Sequence, residues 1–593
     1  MYIKRKSSDF FFVSFQIKEN VLQFSPMRKK LLILPILLSL SLTGCDLFMQ
    51  GESNTASEES RSGNSSSSQG GKESHSTSEK ESTSSKESYT LEGKKLLLNP
   101  YGDYVQYEDA NKSVNNLESE YKALTKKVKS EINGVLQSNY QKGLLDFFNI
   151  QNKIRIVLDV QKSELEKMNE DHNTGNTESF RKCNADIYID GFVIHYEEVG
   201  IRQKGNLSRQ NVLDGDNINL IHYKMSFEET FDDEYTKNPK QWTDQAAKAY
   251  RQDRKFFGIA KIDLRWNRNL DATYIREYYA YEMYRENGAL SPRTNPVSLA
   301  LKINGNIKEL GVYLAVETIN KSFIKRNFVS SAQGGDLYKL SWGSGEGATF
   351  NSSDSRLFGS NKLNKNGDWY SEQTYTYDLK TNKDTSNHST IKNFISTLQN
   401  EHGNTIYQFM QTNSLYDQFI TYLACSYLLG DPDDLRGNYN NSYVYFTPQT
   451  NQMVIIPIDH DRVLGATGNV GGGNPTGSHG ARTLPLEKRT GYSENDSKLI
   501  NVTLLSSNST TIPNDYKNRI QSIINNNWMS MNKYNSYYNY ARTNYSSMVN
   551  RSSGVKGYVP NFEISENTDL SGDNNLDVAT YMSNKSEVFT NNK

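Results

Sequence analysis

The chain has 593 residues, with 67 Lys and Arg against 68 Asp and Glu and a formal net charge of -1, so no global basic field favours nucleic acid as a partner. Three cysteines cannot build a disulfide framework. A mean hydropathy of -0.73 is too polar for a folded enzyme of this length, yet 38 Tyr and 24 Phe supply large buriable side chains, so the average hides a disordered stretch beside a real core.

Residues 1–26 fit no targeting plan. Met27-Arg28-Lys29-Lys30 then opens a basic start, followed by an apolar run over 31–42 and by Thr43-Gly44-Cys45. This is the plan of a secretory signal, and the run is too short to span a bilayer. Leu42-Thr43-Gly44-Cys45 resembles a bacterial lipobox, which makes Met27 the initiator and Cys45 the lipidated mature N-terminus, anchored on the extracytoplasmic face of the cell membrane. In residues 51–89, 15 of 39 positions are Ser; such a stretch cannot bury enough apolar surface to order itself and reads as a solvated tether. The domain plan is therefore signal and extension 1–45, tether 46–89, a helical lead-in 90–150, a strand-rich lobe 151–345 and a mainly helical lobe 346–593.

Within the first lobe, alternation predicts strands near 154–158, 185–189, 193–196, 223–227, 259–264, 297–303 and 312–316, with a helix over 271–287 that has Asp271 as an acidic cap and Gly288 as its stop. After about 390 the period turns helical. An apolar helix carries Leu415, Phe419, Leu423 and Cys425 and ends near Gly430-Asp431-Pro432. Two strands follow, 442–446 and 453–458, and Tyr-rich helices occupy 514–550. Strands followed by helices read as α+β in two lobes.

The chemistry concentrates in Asp431-Pro432-Asp433-Asp434-Leu435-Arg436-Gly437-Asn438-Tyr439-Asn440-Asn441 and in Asp459-His460-Asp461. The two strands between them form an antiparallel hairpin that brings Asn441 opposite Asp459, within about two residues of register. Convergent Asp and Asn oxygens suit Mg²⁺ or Mn²⁺ rather than Zn²⁺. Strand alternation points Asp459 and Asp461 one way and His460 the other, which counts against a metal-dependent phosphohydrolase built on all three. Asp433 and Asn438 have the D-x-x-x-x-N interval of the protein-kinase catalytic loop, although His-Arg-Asp, Asp-Phe-Gly and a G-x-G-x-x-G loop are absent. In the first lobe, Arg202 and Lys204 flank a small-residue turn, Gly205-Asn206-Leu207-Ser208, able to hold phosphate, and Lys224 lies in a later strand. Glu317 ends the strand at 312–316, within reach of a Lys224–Glu317 pair.

Together these segments resemble the CotH family of atypical, spore-coat-type protein kinases. The resemblance rests on Gly200 to Ser208, Asp263-Leu264-Arg265-Trp266-Asn267, Ile275-Arg276-Glu277, Pro292-Arg293, Ile303-Asn304-Gly305, Gly311 to Glu317, Asp336-Leu337-Tyr338-Lys339, Gly437 to Asn441 and Pro457 to Asp461. It spans about 150–470. It implies a divergent two-lobed kinase-like fold and metal-assisted transfer of phosphate from ATP to Ser or Thr of a protein. Carried over, Asp433 is the catalytic Asp, Asn438 or Asn441 a metal ligand and Asp459 the principal metal Asp. Arg202, Lys204 and Lys224 hold nucleotide phosphates, with Glu317 supporting Lys224. Asp433-Asp434 leaves the catalytic position open by one residue. The competing reading is a catalytically silent, surface-anchored envelope protein of the same family, suggested by the tether and by many Tyr and Asn of exposed type. Cys183 and Cys425 read as buried thiols rather than a bridge.

Overall fold

The computed structural model describes residues 142–591 except 176–177, 206–207, 232–244, 344–345, 362–374, 432, 437–438, 467–496, 506–509, 558–559 and 565–576. It also describes the backbone of three strands, Glu87–Leu91, Lys94–Leu98 and Val105–Tyr107, which pair as a small sheet where the tether was expected to meet a helical lead-in. The signal run and Cys45 lie outside the described residues. Among those described, no helix is long and apolar enough to cross a membrane.

The first sheet contains strands β1 (Ile154–Val160), β2 (Arg181–Ile189), β3 (Phe192–Lys204), β4 (His222–Ser226), β5 (Lys261–Trp266), β6 (Thr294–Ile303) and β7 (Asn306–Glu317). Helix α1 (Lys162–Thr174) follows β1, and helix α2 (Arg276–Glu286) stands between β5 and β6. The strands run in the order β5-β7-β6-β1-β2-β3-β4, and β4 pairs back onto β5, so the sheet closes into a barrel. Closure removes the exposed edges that a seven-strand open sheet would leave. Alternation sends Ile156, Leu158, Ile187, Ile201, Tyr223, Met225 and Leu264 inward, where they form one core. Full burial of each such side chain contributes about 1.5–3 kcal/mol.

A second sheet comprises β8 (Leu337–Leu340), β9 (Phe358–Gly359), β10 (Tyr377–Leu379), β11 (Ser442–Phe446) and β12 (Met453–Pro457), in the order β9-β10-β8-β11-β12. Helices α3 (Ser389–Leu398), α4 (Gly403–Asn413), α5 (Tyr416–Leu429), α6 (Thr511–Asn525), α7 (Met531–Tyr545) and α8 (Val578–Asn591) accompany this sheet. One face of this sheet, with Tyr338, Leu340, Val444 and Ile455, joins the helical core. Its other face is apolar at one end, where Leu337, Tyr445, Val454 and Ile456 meet Phe323 and Ile324. At the other end that face carries Lys339, Asp378 and Tyr443, which share register positions.

The tyrosines are structural. In α7, Tyr534, Tyr538, Ala541 and Tyr545 form a buried stripe at helical spacing. Tyr279 donates its hydroxyl to the Trp528 carbonyl at 2.7 Å, and the Tyr545 hydroxyl accepts the Ile154 N–H at 2.9 Å, joining α7 to the barrel. Many of the described tyrosines are thus buried in the core rather than exposed as the silent-protein reading expected.

Candidate functional site

The site lies between the outer face of β3–β4–β5 and the polar end of the second sheet, with the β11–β12 hairpin beside it. Register places Arg202 opposite Lys224 and Lys224 opposite Asp263, while alternation adds Lys204 and Arg265 to the same face. The turn after Lys204 needs its glycine: Gly205 has φ +107°, and a Cβ there would lie 2.1 Å from the Ser208 hydroxyl.

Asp263 takes both lysines, with Lys224 Nζ at 2.6 Å and Lys204 Nζ at 3.1 Å. Burial favours protonation of Asp263, but the two ammonium groups outweigh it and hold the carboxyl well below the usual range. Burial, opposed by Asp263 and helped by Arg202 and Lys204, brings Lys224 down to about 8. Arg202 pairs with Glu178, its Nη1 at 2.9 Å from Oε1, and Arg209 reaches the same carboxylate at 3.2 Å. The Lys224–Glu317 pair does not form. Glu317 lies opposite Ile262, one pleat out of phase with Asp263, and its fully buried carboxylate takes Arg326 Nε at 3.0 Å and the Arg293 N–H at 3.2 Å. It ties the end of β7 to the short helix Lys321–Asn327 that leads towards the second sheet.

Arg265, 6% exposed, is the centre of a second cluster. Its Nε is 3.2 Å from Glu277 on the first turn of α2, while its Nη2 contacts Asp459 and lies 3.6 Å from Asp461. Burial pushes Glu277 up to about 8; Arg265 opposes that, and Asp461 and Asp459 add to it. For Asp459 the balance is reversed: Arg265 and Lys204 overcome burial and keep it ionised well below the usual range. The helix begins at Arg276, with Ile275 in the cap position, five residues later than the expected start at Asp271; the Asp271 carboxylate instead holds the turn before it, accepting the Thr273 and Arg276 N–H groups at 3.0 Å.

The loop before the hairpin starts where Gly430 ends α5 at φ +64°. Asp431 is buried; its carboxylate accepts the Asp433 N–H at 3.0 Å and faces His460 Nδ1 at 3.2 Å. Asp434, 1% exposed, accepts the Ser426 hydroxyl at 2.5 Å and is turned into α5, whereas Asp433 stays half-buried. Asn441 donates its side-chain amide to the Asp433 carbonyl at 2.8 Å, and its own carbonyl accepts the Ile458 N–H at 3.0 Å. The hairpin thus brings Asn441 opposite Ile458, one residue from the expected register. Asn438 lies outside the described residues.

Alternation at the hairpin's end divides the side chains as expected, although Asp459 itself has φ +67° and donates its N–H to the Tyr281 hydroxyl at 3.0 Å. Asp459 and Asp461 turn to Arg265. His460 is fully buried against the rings of Tyr281 and Tyr284, and burial lowers it to about 3, leaving it neutral. Among the described residues no three His, Cys, Asp or Glu side chains are grouped so as to hold a metal.

Sequence reasoning gave no role to Asp263, Arg265, Glu277 or Lys339. The signal was present for the first two: period-two alternation through Lys261–Trp266 puts two charges on the face that β4 gives to Lys224. A family model described as CotH kinase protein matches residues 201–580, roughly two thirds of the chain, from the end of β3 into α8. No curated protein matches the chain.

Proposed function

The chain belongs to the CotH kinase protein family, and we propose that it is an ATP-dependent protein kinase that phosphorylates Ser or Thr of envelope or spore-coat-type proteins, held at the outer membrane face by a lipid on Cys45. In this reading the barrel and the sheet-and-helix unit are the two lobes of a divergent kinase-like fold.

The observation that carries the proposal is the segregation of charge. On one wall Lys204 and Lys224 share one carboxylate, so positive charge is in excess. On the other, three carboxyl groups, Glu277, Asp459 and Asp461, gather round the one guanidinium of Arg265; burial keeps Glu277 protonated below about pH 8, so a cation arriving there can draw further negative charge from the cluster by displacing a proton. A polyphosphate on the first wall and a divalent cation on the second satisfy both, and phosphoryl transfer depends chiefly on such positioning and neutralisation. The Arg265–Glu277 pair supports the reading further. A cation on a strand, a carboxylate on the next helix and an Asp after a later hairpin repeat the relation of the Lys–Glu pair and metal Asp in protein kinases. Arg265–Glu277 therefore takes the role first given to Lys224–Glu317.

For the metal, Asp459, Asn441 and Asn438 offer oxygen donors only, and ionised Asp459 supplies the charge, a set that fits Mg²⁺ or Mn²⁺. Such an ion, when bound, neutralises charge on the β- and γ-phosphates. Asp433 is the base rather than Asp434, whose carboxylate is committed to Ser426. It accepts the substrate hydroxyl proton as that oxygen bonds to the γ-phosphorus and the bond to the ADP oxygen breaks. Arg202, Lys204 and Lys224 line the phosphate path. The phosphohydrolase alternative loses its third group, because His460 is buried and neutral.

Thermal unfolding tests nucleotide use. ATP with Mn²⁺ should raise the melting temperature of the full chain, and Asp459→Ala should remove the rise; a melting temperature indifferent to nucleotide would favour the silent envelope protein.

A further inference from the structure

Lys339 stands in the middle of the site, on β8, with Asp378 opposite on one side and Tyr443 on the other. It is half-buried, and its ammonium makes no hydrogen bond or ion pair among the described residues. Its nearest candidate partners are committed. Asp378 pairs with Lys380, and Asp263 across the cleft pairs with Lys204 and Lys224. Asp459 lies within electrostatic range but contacts Arg265. A lysine on an open surface sends its ammonium into water at little cost, whereas one held between two sheets without a counter-ion is expensive. Burial, with Lys380 and Lys204 nearby, accordingly lowers its pKa. Among the described residues Lys204, Lys224, Arg265 and Lys380, which face this part of the cleft, each have a carboxylate, and none of the described carboxylates is left for Lys339, which points to an anionic ligand as its partner.

We infer that Lys339 is a phosphate-binding residue, its ammonium donating to a phosphate oxygen of a ligand lying between β8 and the β3–β4–β5 face. That the phosphate belongs to ATP rests on the kinase reading; that the ligand is an anion does not.

The test uses the full chain, with Lys339→Met and Lys339→Arg beside wild type, titrated calorimetrically with MgATP, magnesium pyrophosphate and adenosine. Lys339→Met should weaken MgATP and pyrophosphate by about tenfold or more, while adenosine binds equally well and Lys339→Arg recovers most of the loss. Without ligand, Lys339→Met should melt no lower than wild type, since it removes an uncompensated charge. Pyrophosphate binding by wild type without ATP binding would uphold Lys339 and defeat the kinase reading. Undiminished pyrophosphate affinity in Lys339→Met, no pyrophosphate binding by wild type, or a fall of several degrees in the ligand-free melting temperature would overturn the inference.

Discussion

Replacing Glu277 with Gln tests the electrostatics of the site without changing its shape. Glu277 is half-buried beside Arg265 and ionises near pH 8 in the folded protein, against about 4.5 when unfolded. A carboxyl group whose folded-state pKa is raised contributes stability that is fully present below pH 4.5 and is lost as pH rises through 8. Each pH unit inside that window removes about 1.4 kcal/mol, so wild type loses about 2–3 kcal/mol between pH 6 and 8.5 from this group. Glu277→Gln cannot ionise and lacks that slope. In metal-free buffer the gap between the variant and wild type should therefore widen by about 2–3 kcal/mol in the variant's favour between pH 6 and pH 8.5. Urea midpoints at the two pH values measure this. Parallel pH profiles, or a gap that moves in wild type's favour, would refute the reasoning that burial outweighs Arg265 at this position.

Glu317→Ala should cost about 3–5 kcal/mol, because it strands Arg326 and Arg293 at a buried position, yet leave the nucleotide affinity of the folded protein intact. Normal stability with lost nucleotide binding would restore Glu317 to the nucleotide site. Lys224, lowered to about 8, should be acylated at pH 8.5 ahead of exposed lysines, and ATP should protect it; mass mapping that finds Lys224 labelled no faster than surface lysines would contradict its depressed pKa. Cys183 and Cys425 lie in separate cores, so reduction should leave the intact mass unchanged, and both thiols should label only on unfolding.

Much of the fold was legible because alternation and helical spacing are local properties. The strands near 154–158, 297–303 and 442–446 and the helix carrying Phe419 and Leu423 all form close to the expected residues. Barrel closure was not legible: it depends on β4 returning to β5, a pairing between residues about 40 apart, and no single strand records its second neighbour. The hairpin brought Asn441 opposite Ile458, one residue from the expected Asp459, because a short loop fixes register to within the tolerance of the count. The Lys224 partner was misjudged for a related reason. Glu317 and Asp263 lie on adjacent strands, and which of them shares a face with Lys224 turns on register, where one residue reverses the face. Lys339 could not be singled out, since its significance is that the carboxylates around it are paired with other cations, a property of three dimensions.

The central claim is phosphoryl transfer at the Asp433–Asp459 site. Its most direct measurement is incorporation of labelled γ-phosphate from ATP into the chain itself or a casein-like acceptor, with Mg²⁺ or Mn²⁺, for wild type, Asp433→Ala and Asp459→Ala. Incorporation on Ser or Thr by wild type, abolished by each substitution in a folded protein, is the expected result; incorporation that survives both substitutions, or none by wild type, would contradict the account.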